Sequence, residues 1–585
     1  MSTYQWFVFF LIVQLIHGLG TWKLYEKAGR KSWEAFIPVY NSIILMKIIN
    51  RPTWWTFLLF IPVINLMMFP IVWVETLRSF GRRSTLDTIL GVVTFGFYIY
   101  YINYTQYVQY ISERNLKPAS TAADTLSSLL FAIIVATFVH TYFIQPFVIP
   151  TSSLEKSLLV GDFLFVSKYN YGARTPMTAV AAPMVHDTLP LIKVKSYLFD
   201  DNNPTSWKNK LQLPYFRFPG YEKIKNNDIV VFNWPQDTLF HMYKPSDRRY
   251  SKPIDKKTNY VKRCVGIPGD SLQIKDGIVF INGKELILPE RAKPQFNYLI
   301  ENKTPIDSTF LVDYEITEYS RIFKIKKDIW DNNVVRTHLD RLSKENKVAF
   351  SEIARDSTAV LLTGGATDDV LNELNIDLSM YDLSVTLTFE KAEKMKSDSR
   401  VKVIKRFIKN GPEDGIFPDH KDGKPSVTNN WSCDNFGPIY IPQQGKTVAI
   451  NRQSLPFYKN IISEFEGNTL KVVGNDIYIN DKKATTYTFK QNYYWMMGDN
   501  RHNSLDARYY GYTPEDHIVG KPVFLWMSWD SNGKGIMNKI RWERLFTTVS
   551  GEGQPQSYFK YFLGILALYF VGEYFWKKRK KASNV

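Results

Sequence analysis

Long apolar runs lie near both ends of this chain, and a mostly polar region separates them. Towards the N-terminus the apolar runs cover residues 6–19, 36–49, 54–74, 89–102 and 126–143, and a further run covers residues 561–576. A helix needs about 18 or more apolar residues to cross a bilayer, which the runs 54–74 and 126–143 provide. The run 36–49 is short and carries Pro38, Asn41 and Lys47, so an interfacial or re-entrant helix suits it at least as well as a span.

Basic residues beside these runs predict how the chain crosses the membrane. The run 6–19 is followed by WKLYEKAGRK, whereas a cleavable signal peptide carries its positive charge before the apolar core. We therefore predict an uncleaved helix whose C-terminal end lies in the cytoplasm. Basic residues 577–581 follow the last run and also favour the cytoplasm. The chain is expected to leave the membrane near residue 144 and return near residue 560, and the number of crossings before residue 120 stays open.

The polar region between these anchors has the pattern of β-strands. Short β-branched and aromatic runs such as DIVVFNWP, SLQIKDGIVFINGKEL and KPVFLWMSWD are separated by Gly, Asn and Asp. Residues 291–440 are more charged and include helix-like stretches such as DDVLNELNI. We predict a mainly β catalytic domain with an inserted α+β subdomain, flanked by transmembrane helices. The predicted order is a multi-segment membrane region (1–123), an anchor helix (124–144), the first part of the β domain (145–290), the insert (291–440), the second part of the β domain (441–555) and a C-terminal membrane helix with a basic cytoplasmic tail (556–585).

Charge and cysteine content narrow the classes of partner. A formal charge of +17 over 585 residues suits a protein that lies against anionic lipid. Nucleic acid is not predicted as a partner, because the sequence has no zinc-finger spacing or basic heptad region and its positive charge is spread widely. Two cysteines, Cys264 and Cys433, cannot form a disulfide framework, and two unrelated buried thiols are favoured over one disulfide. No Cys/His cluster in the sequence indicates a metal site.

A serine and a lysine are the candidates for catalysis. Ser153 lies in Pro-Thr-Ser-Ser, shortly after the run 126–143, and Lys262 lies in YVKRCVGIPGD. Serine is a weak nucleophile without a base, and none of the eight histidines has a recognisable His/Asp/Ser context. A lysine can act as the base if burial lowers its pKa from about 10.4. On a strand, Lys262 would share a face with Tyr260 and Cys264. Taken alone, Ser153 would be a turn residue and Lys262 a solvated side chain.

Three stretches, in this order, resemble the bacterial type I signal peptidases, which are membrane-bound serine–lysine endopeptidases. They are QPFVIPTSSLEKSLLVGDFLFVSKYNYG, YVKRCVGIPGD and GDNRHNSLDAR. In that family the nucleophile segment typically reads Pro-Ser-x-Ser-Met, then Pro-Thr-Leu and Gly-Asp. Here Leu154 replaces the methionine and Lys156-Ser157 replaces Pro-Thr, which retains the nucleophile and alters only the fine shape of the turn. The resemblance extends over residues from about 140 to 175, 215 to 290 and 470 to 530.

The resemblance implies catalytic roles for four residues. Ser153 would be the nucleophile and Lys262 the general base. Thr151 stands where the family has a hydroxyl that helps to bind the oxyanion, together with the Ser153 backbone N–H. Ser504 would donate or accept a hydrogen bond at the lysine amine and orient it. Loss of one oxyanion donor can lower a rate by about 100- to 1000-fold.

The resemblance implies supporting roles for the rest of GDNRHNSLDAR. Asp506 and Arg508 would form a structural ion pair near the site, and Gly498 and Asp499 would shape the loop. His502 stands where the family usually has aspartate. Ala507 stands where the family often has serine, so the match to the family is weaker at these two positions only.

The resemblance also implies a function, the removal of N-terminal signal peptides from exported preproteins. Secretory preproteins and the lipid bilayer would be the partners, and no metal or organic cofactor would be required. The expected location is the bacterial inner (cytoplasmic) membrane, multi-pass, with the catalytic domain on the outer (periplasmic) face. Three alternatives remain: a catalytically inactive membrane scaffold of the secretion pathway, a self-cleaving serine–lysine repressor, which would be soluble, and a multi-span transporter, for which the polar region is unusually large.

Overall fold

The computed structural model describes residues 2–117, 120–240, 246–355, 357–418 and 430–582. For residues 581 and 582 it describes the backbone alone. The N-terminal region is helical, with α1 (Thr3–Lys27), α2 (Tyr40–Ile48), α3 (Trp55–Leu58), α4 (Ile64–Ser79), α5 (Thr85–Val93), α6 (Tyr98–Thr105) and α7 (Thr121–Tyr142). Two of the helices in the described residues, α1 and α7, are long and apolar enough to cross a membrane. They contain the predicted runs 6–19 and 126–143. The helices α5 and α6 form a pair that is bent by 116° within the run 89–102.

The run 54–74 does not form the single spanning helix that its length predicted. It is divided between α3 and α4, and the break lies at Pro62 and Val63. Proline disfavours a helical conformation in the residue before it, and Val63 has φ 68°, outside the right-handed helical region. The same sequence, Phe-Ile-Pro-Val, precedes α2, where Val39 has φ 67°. Helices α2 and α4 therefore begin at the same kind of Pro-Val turn, and residues of α2 pack in the core of the helical region.

The C-terminal run forms the helix α17 (Phe559–Ala582), whose described side chains are largely exposed. Helix α17 is not one of the two described helices that meet the length and hydropathy requirements for a membrane span. Its 24 residues include Lys560, Glu573 and the basic block, which lower its mean hydropathy. A C-terminal membrane span therefore stays a prediction.

The largest sheet of the β domain joins strands from both of its sequence segments. Its eight strands are antiparallel neighbours in the order β1-β2-β22-β3-β4-β20-β21, with β23 beside β22. Their bounds are β1 (Ile144–Val148), β2 (Asp162–Ser167), β3 (Ile229–Asn233), β4 (Asn259–Gly266), β20 (Tyr493–Met497), β21 (Thr513–Pro514), β22 (Ile518–Ser528) and β23 (Thr547–Thr548). Because β4 pairs with β20, Lys262 on β4 is brought near the loop that follows residue 497. The short helices of this domain are α8 (Trp207–Lys210), α14 (Leu455–Asn460), α15 (Ala507–Tyr510) and α16 (Ile536–Lys539).

Three smaller sheets complete the β domain. One has the order β14-β5-β6-β7, a second is β16-β17-β18 and a third pairs β15 with β19. The similar sequences DGIVFINGKEL and NDIYINDKKA form the equivalent hairpins β6–β7 and β17–β18. Bounds are β5 (Ser271–Lys275), β6 (Ile278–Ile281), β7 (Lys284–Glu285), β14 (Phe436–Tyr440), β15 (Thr447–Ala449), β16 (Leu470–Val473), β17 (Asp476–Ile479), β18 (Lys482–Lys483) and β19 (Thr486–Thr488).

The segment between β7 and β14 forms a separate α+β layer. Its six antiparallel strands have the order β10-β11-β9-β12-β8-β13 and carry their own apolar clusters. Bounds are β8 (Gln295–Asn302), α9 (Ser308–Asp313), β9 (Tyr319–Lys326), α10 (Lys327–Trp330), α11 (Asn333–Lys344), β10 (Val348–Arg355), β11 (Ala359–Ala366), α12 (Asp368–Glu373), β12 (Asp377–Thr388), α13 (Phe389–Lys396) and β13 (Val401–Arg406). Strand β14 falls inside the predicted insert range but pairs with β5 of the β domain.

Candidate active site

Ser153 and Lys262 meet although 109 positions separate them in the chain. Ser153 lies in a short 3-10 turn, Ser152–Leu154, and Lys262 lies in β4. The Lys262 ammonium nitrogen is 2.5 Å from the Ser153 hydroxyl oxygen. Both residues are buried, with 7% and 4% of their surface exposed. The two groups are therefore within proton-transfer distance in a site from which most water is excluded.

The surroundings of Lys262 favour its neutral form. Burial lowers the pKa of the Lys262 amine to about 8, and the opposing attraction of Asp506 only partly offsets this effect. The ring of Tyr260 lies 5.6 Å from the amine, on the strand face that alternation predicts. At pH 7, about one Lys262 in ten would be neutral. A lysine in this state can accept a proton from a serine.

The turn that carries Ser153 has a conformation that the family's Pro-Thr sequence could not adopt unchanged. Lys156 has φ 69°, whereas the proline ring holds φ near about −65°. The hydroxyl of Ser157 donates a 2.6 Å hydrogen bond to Asp499 and accepts one from the backbone N–H of Lys293. The replacement Lys156-Ser157 thus changes the turn and connects it to the loop after β20.

Asp499 forms a buried ion pair that ties this loop to β4. Its two carboxylate oxygens accept hydrogen bonds from Arg263 at 2.8 and 2.5 Å. Burial alone would raise the pKa of the Asp499 carboxyl, but Arg263 more than offsets it and holds the pKa below its ordinary value. Arg263 follows Lys262 and points to the opposite face of β4.

Asp506 and Arg508 lie together in a second buried ion pair. Both side chains have 0% exposure, and two hydrogen bonds of 2.9 and 2.8 Å join them. Asp506 also accepts a bond from the backbone N–H of Gly498. A Cβ atom on Gly498 would lie 2.2 Å from the Ser504 hydroxyl and 2.6 Å from the Ser153 carbonyl oxygen. The turn Ser152–Leu154, which carries the candidate nucleophile Ser153, is called the nucleophile turn below. Only glycine at position 498 allows the loop after β20 to approach this turn so closely.

Ser504 and Thr151, which the family resemblance gives catalytic roles, form no hydrogen bond to Lys262 or Ser153 through their hydroxyl groups in the described residues. The Ser504 hydroxyl is buried and has no hydrogen-bond partner within the described ranges, so the bond expected at Lys262 is not formed. Thr151 is exposed and precedes the 3-10 turn in an extended conformation. The structure therefore leaves the implied oxyanion role of Thr151 a prediction.

Asparagines that the sequence did not single out hold the nucleophile turn in place. The backbone N–H of Asn500 donates to the Ser153 carbonyl at 3.1 Å, and its side-chain amide donates to the Ser152 carbonyl at 3.2 Å. The Asn503 amide donates to the Ser152 hydroxyl at 3.0 Å. The Asn500 amide also donates to Glu318 of the inserted layer at 2.8 Å. The insert therefore reaches the turn through one intermediate residue.

His502 joins the same loop to both ends of the insert. Its Nδ1 accepts the backbone N–H of Asn297 at 3.0 Å, so Nε2 carries the proton that it donates to Asp434 at 2.9 Å. These residues are far apart in sequence, so local patterns could not reveal the contact. Histidine at this position replaces the family's aspartate with a group that can bond on two sides.

Cys433, Asp434 and His502 place ligand-type atoms within 4.8 Å of one another. Both ring nitrogens of His502 are already hydrogen-bonded, and burial raises the pKa of the Cys433 thiol to about 12. In this structure Asp434 and His502 are therefore joined by a hydrogen bond, and His502 is bonded to Asn297 on its other side. The cluster serves as a structural contact, and Cys433 and Cys264 are both free buried thiols.

Comparison with known proteins identifies two families that parts of this chain match. Residues 122–328 and 440–529, just over half of the chain, match the family described as "Signal peptidase, peptidase S26". Residues 33–113 match a family of unknown function (DUF5684).

Individual relatives are distant. Signal peptidase I of Buchnera aphidicola subsp. Baizongia pistaciae is 23% identical over 403 residues, covering 69% of this chain and 76% of the relative. Signal peptidase I of Buchnera aphidicola subsp. Schizaphis graminum is 22% identical over 421 residues, covering 72% and 80%. Signal peptidase I of Rickettsia typhi is 26% identical over 172 residues, covering 29% and 48%.

Proposed function

The chain belongs to the signal peptidase S26 family, and from this premise we propose that Ser153 and Lys262 form its catalytic dyad. As a member of that family it is a peptidase that removes signal peptides from preproteins. The observation that carries the proposal is the 2.5 Å separation of the Lys262 amine and the Ser153 hydroxyl in a buried site. No histidine is needed in this arrangement, because a desolvated lysine can be the base.

The proposed reaction has two halves that use the same lysine. Neutral Lys262 accepts the Ser153 proton as the hydroxyl oxygen attacks the carbonyl carbon of the scissile bond. The protonated amine then returns that proton to the leaving amine, and an acyl-enzyme ester on Ser153 remains. Water, deprotonated by Lys262, hydrolyses the ester and releases the signal peptide. Thr151 and the Ser153 N–H would donate hydrogen bonds to the oxyanion in both halves.

The structure also supports a membrane-side location for this chemistry. Helix α7 ends at Tyr142 and β1 begins at Ile144, so the nucleophile turn follows the end of an apolar helix closely. A preprotein whose signal peptide lies in the bilayer would present its cleavage site at the same level. We extend the proposal to a multi-pass protein of the bacterial inner membrane with the β domain on the outer face. Glu155 and Lys156 directly follow the nucleophile turn, so two charged residues would lie near a bound preprotein.

Cleavage of a purified preprotein by the full-length protein in detergent tests the dyad. We expect Ser153→Ala and Lys262→Ala each to lower the rate by about 10,000-fold or more, as loss of a nucleophile or base does in other serine peptidases. Exposed residues on β5 provide matched controls, Ser271→Ala and Lys275→Ala, which should retain the wild-type rate. Wild-type cleavage by Ser153→Ala would show that the nucleophile is a different residue. A wild type that cuts none of several preproteins would favour the inactive scaffold.

A further inference from the structure

A cavity of about 180 Å³ lies where helix α7 leaves the membrane region and meets the β domain. Its wall includes His140 of α7, Lys168 at the end of β2, Arg174 in the segment that follows and Lys256. A water needs only about 10–15 Å³ of such space, so a larger group with its hydration fits. The wall also includes Val63 from the helical N-terminal region. Residues of the helical region and of the β domain thus line one partly open cavity outside the Ser153 site.

Lys168 has a buried amine that none of the described carboxylates pairs with. Its side chain is 8% exposed, and no acceptor for its ammonium exists within the described ranges. The contact recorded for its amine is the ring of Phe147, 5.8 Å away. Burial, and then the neighbouring positive charge of Arg174 and Arg217, lowers the pKa of this amine to about 7. A buried ammonium is stable only when a partner offsets its desolvation.

The other two cations of the cavity bind neutral oxygens rather than carboxylates. Arg174 donates to the Asp516 backbone carbonyl and to the side-chain oxygen of Asn233. Lys256 donates to the Val185 carbonyl at 3.3 Å. The carboxylate of Asp255 also attracts both side chains, whereas the charges that act on Lys168 are those of Arg174 and Arg217.

The carboxylate in the wall, Asp255, is already occupied. It accepts three hydrogen bonds, from the backbone N–H groups of Met177 and Thr178 and from the Thr178 hydroxyl. The wall of the cavity therefore contains three basic side chains and one carboxylate, whose oxygens are hydrogen-bonded to Met177 and Thr178. An anion is the ligand that this distribution of charge favours.

We propose that this cavity binds the phosphate of an anionic phospholipid headgroup, with Lys168 contacting the phosphate oxygens. Its position at the membrane end of the β domain favours a lipid over free phosphate, because anionic headgroups are concentrated at that level. The inference does not use the Ser153–Lys262 dyad.

Native mass spectrometry of the full-length protein in non-ionic detergent, titrated with phosphatidylglycerol, measures this binding directly. We expect Lys168→Met to weaken phosphatidylglycerol retention by about 10-fold, the effect of losing one charge-assisted hydrogen bond. Lys168→Arg should retain the lipid, and the exposed Lys223→Met should match the wild type. Wild type should also retain phosphatidylglycerol over zwitterionic phosphatidylcholine, a comparison that needs no variant.

The outcomes separate the sources of the anion. Equal retention of phosphatidylglycerol by wild type and Lys168→Met would overturn the proposal, as would equal retention of the two lipids by wild type. Lys168-dependent binding of inorganic phosphate without retention of phosphatidylglycerol would overturn the lipid assignment. Because binding is the readout, the result is independent of whether Ser153 is the nucleophile.

Discussion

Replacing Lys262 by methionine is expected to abolish cleavage and to change how the stability of the fold depends on pH. Methionine preserves most of the side-chain volume and cannot be protonated. In the wild type, burial lowers the Lys262 pKa from 10.5 to about 8. The unfolded chain therefore binds this proton more tightly than the folded protein does, so protonation favours unfolding. This penalty is complete below about pH 8 and is lost as the pH rises towards 10.5.

The size of the effect follows from that shift. One pKa unit corresponds to about 1.4 kcal/mol, so the buried ammonium destabilises the folded wild type by roughly 3 kcal/mol at pH 7. The penalty falls as the unfolded lysine also loses its proton, and most of it is gone by pH 10. Between these pH values the wild type should gain roughly 2–3 kcal/mol relative to Lys262→Met. Loss of the bond to Ser153 shifts the two curves by a constant amount and leaves this change intact.

Guanidinium unfolding of the full-length protein in one detergent, followed by tryptophan fluorescence from pH 7 to pH 10, measures the difference. The exposed β5 lysine provides the control, and Lys275→Met should follow the wild type at every pH. If the wild-type and Lys262→Met curves keep the same separation across this range, the amine is not desolvated in the folded state, and the argument for a lysine base fails.

Three further results are expected. Wild-type cleavage should rise about 10-fold from pH 6 to pH 7 and level off above about pH 8, because only neutral Lys262 accepts the proton. Asp499→Asn should lower the free energy of unfolding by about 3–5 kcal/mol in guanidinium titrations, because it leaves Arg263 buried without its partner. Glu318→Ala should lower kcat/KM for a preprotein by about 10-fold, because Asn500 loses the acceptor that holds it against the nucleophile turn.

Each of these three predictions has an outcome that would contradict it, and the two mutational ones have a control variant. A cleavage rate that does not vary from pH 6 to pH 8 would contradict a lysine base. Asp481 forms an exposed ion pair with Lys471, and Asp481→Asn should leave the free energy of unfolding within about 0.5 kcal/mol of the wild-type value. An equal loss of stability in Asp499→Asn and Asp481→Asn would contradict the argument that burial makes the Arg263–Asp499 pair costly to break. Glu315→Gln, in the same insert but paired with Lys391, should not change kcat/KM, whereas an equal loss would indicate a general effect of the insert.

Local sequence features predicted the two candidate spanning helices and the mainly β character of the polar region. Hydropathy over a window of residues is a local property, so the runs that became α1 and α7 could be identified directly. The run 54–74 was misjudged as one helix because hydropathy does not register a backbone turn. Pro62 was visible in the sequence, but the positive φ of Val63 depends on how α3 and α4 pack.

The candidate catalytic residues could also be named from short motifs, whereas their surroundings could not. Ser153 and Lys262 lie in characteristic local sequences, and pairing of β4 with β20 then brings the supporting loop to them. His502 bonds to Asn297 and Asp434, and no periodicity links these three positions. Contacts of this kind exist only after distant strands have paired.

The sequence by itself determined which residues can react and which segments are apolar, because residue chemistry and local hydropathy need no partners. Only the tertiary structure decided that Lys262 is desolvated, that the insert reaches the nucleophile turn through Asn500, and that the Lys168 amine lies buried at a cavity with no acceptor among the described residues. The physical reason is that desolvation and charge complementarity depend on every atom around a group. Those atoms come from segments that are remote in sequence and adjacent only in the folded chain.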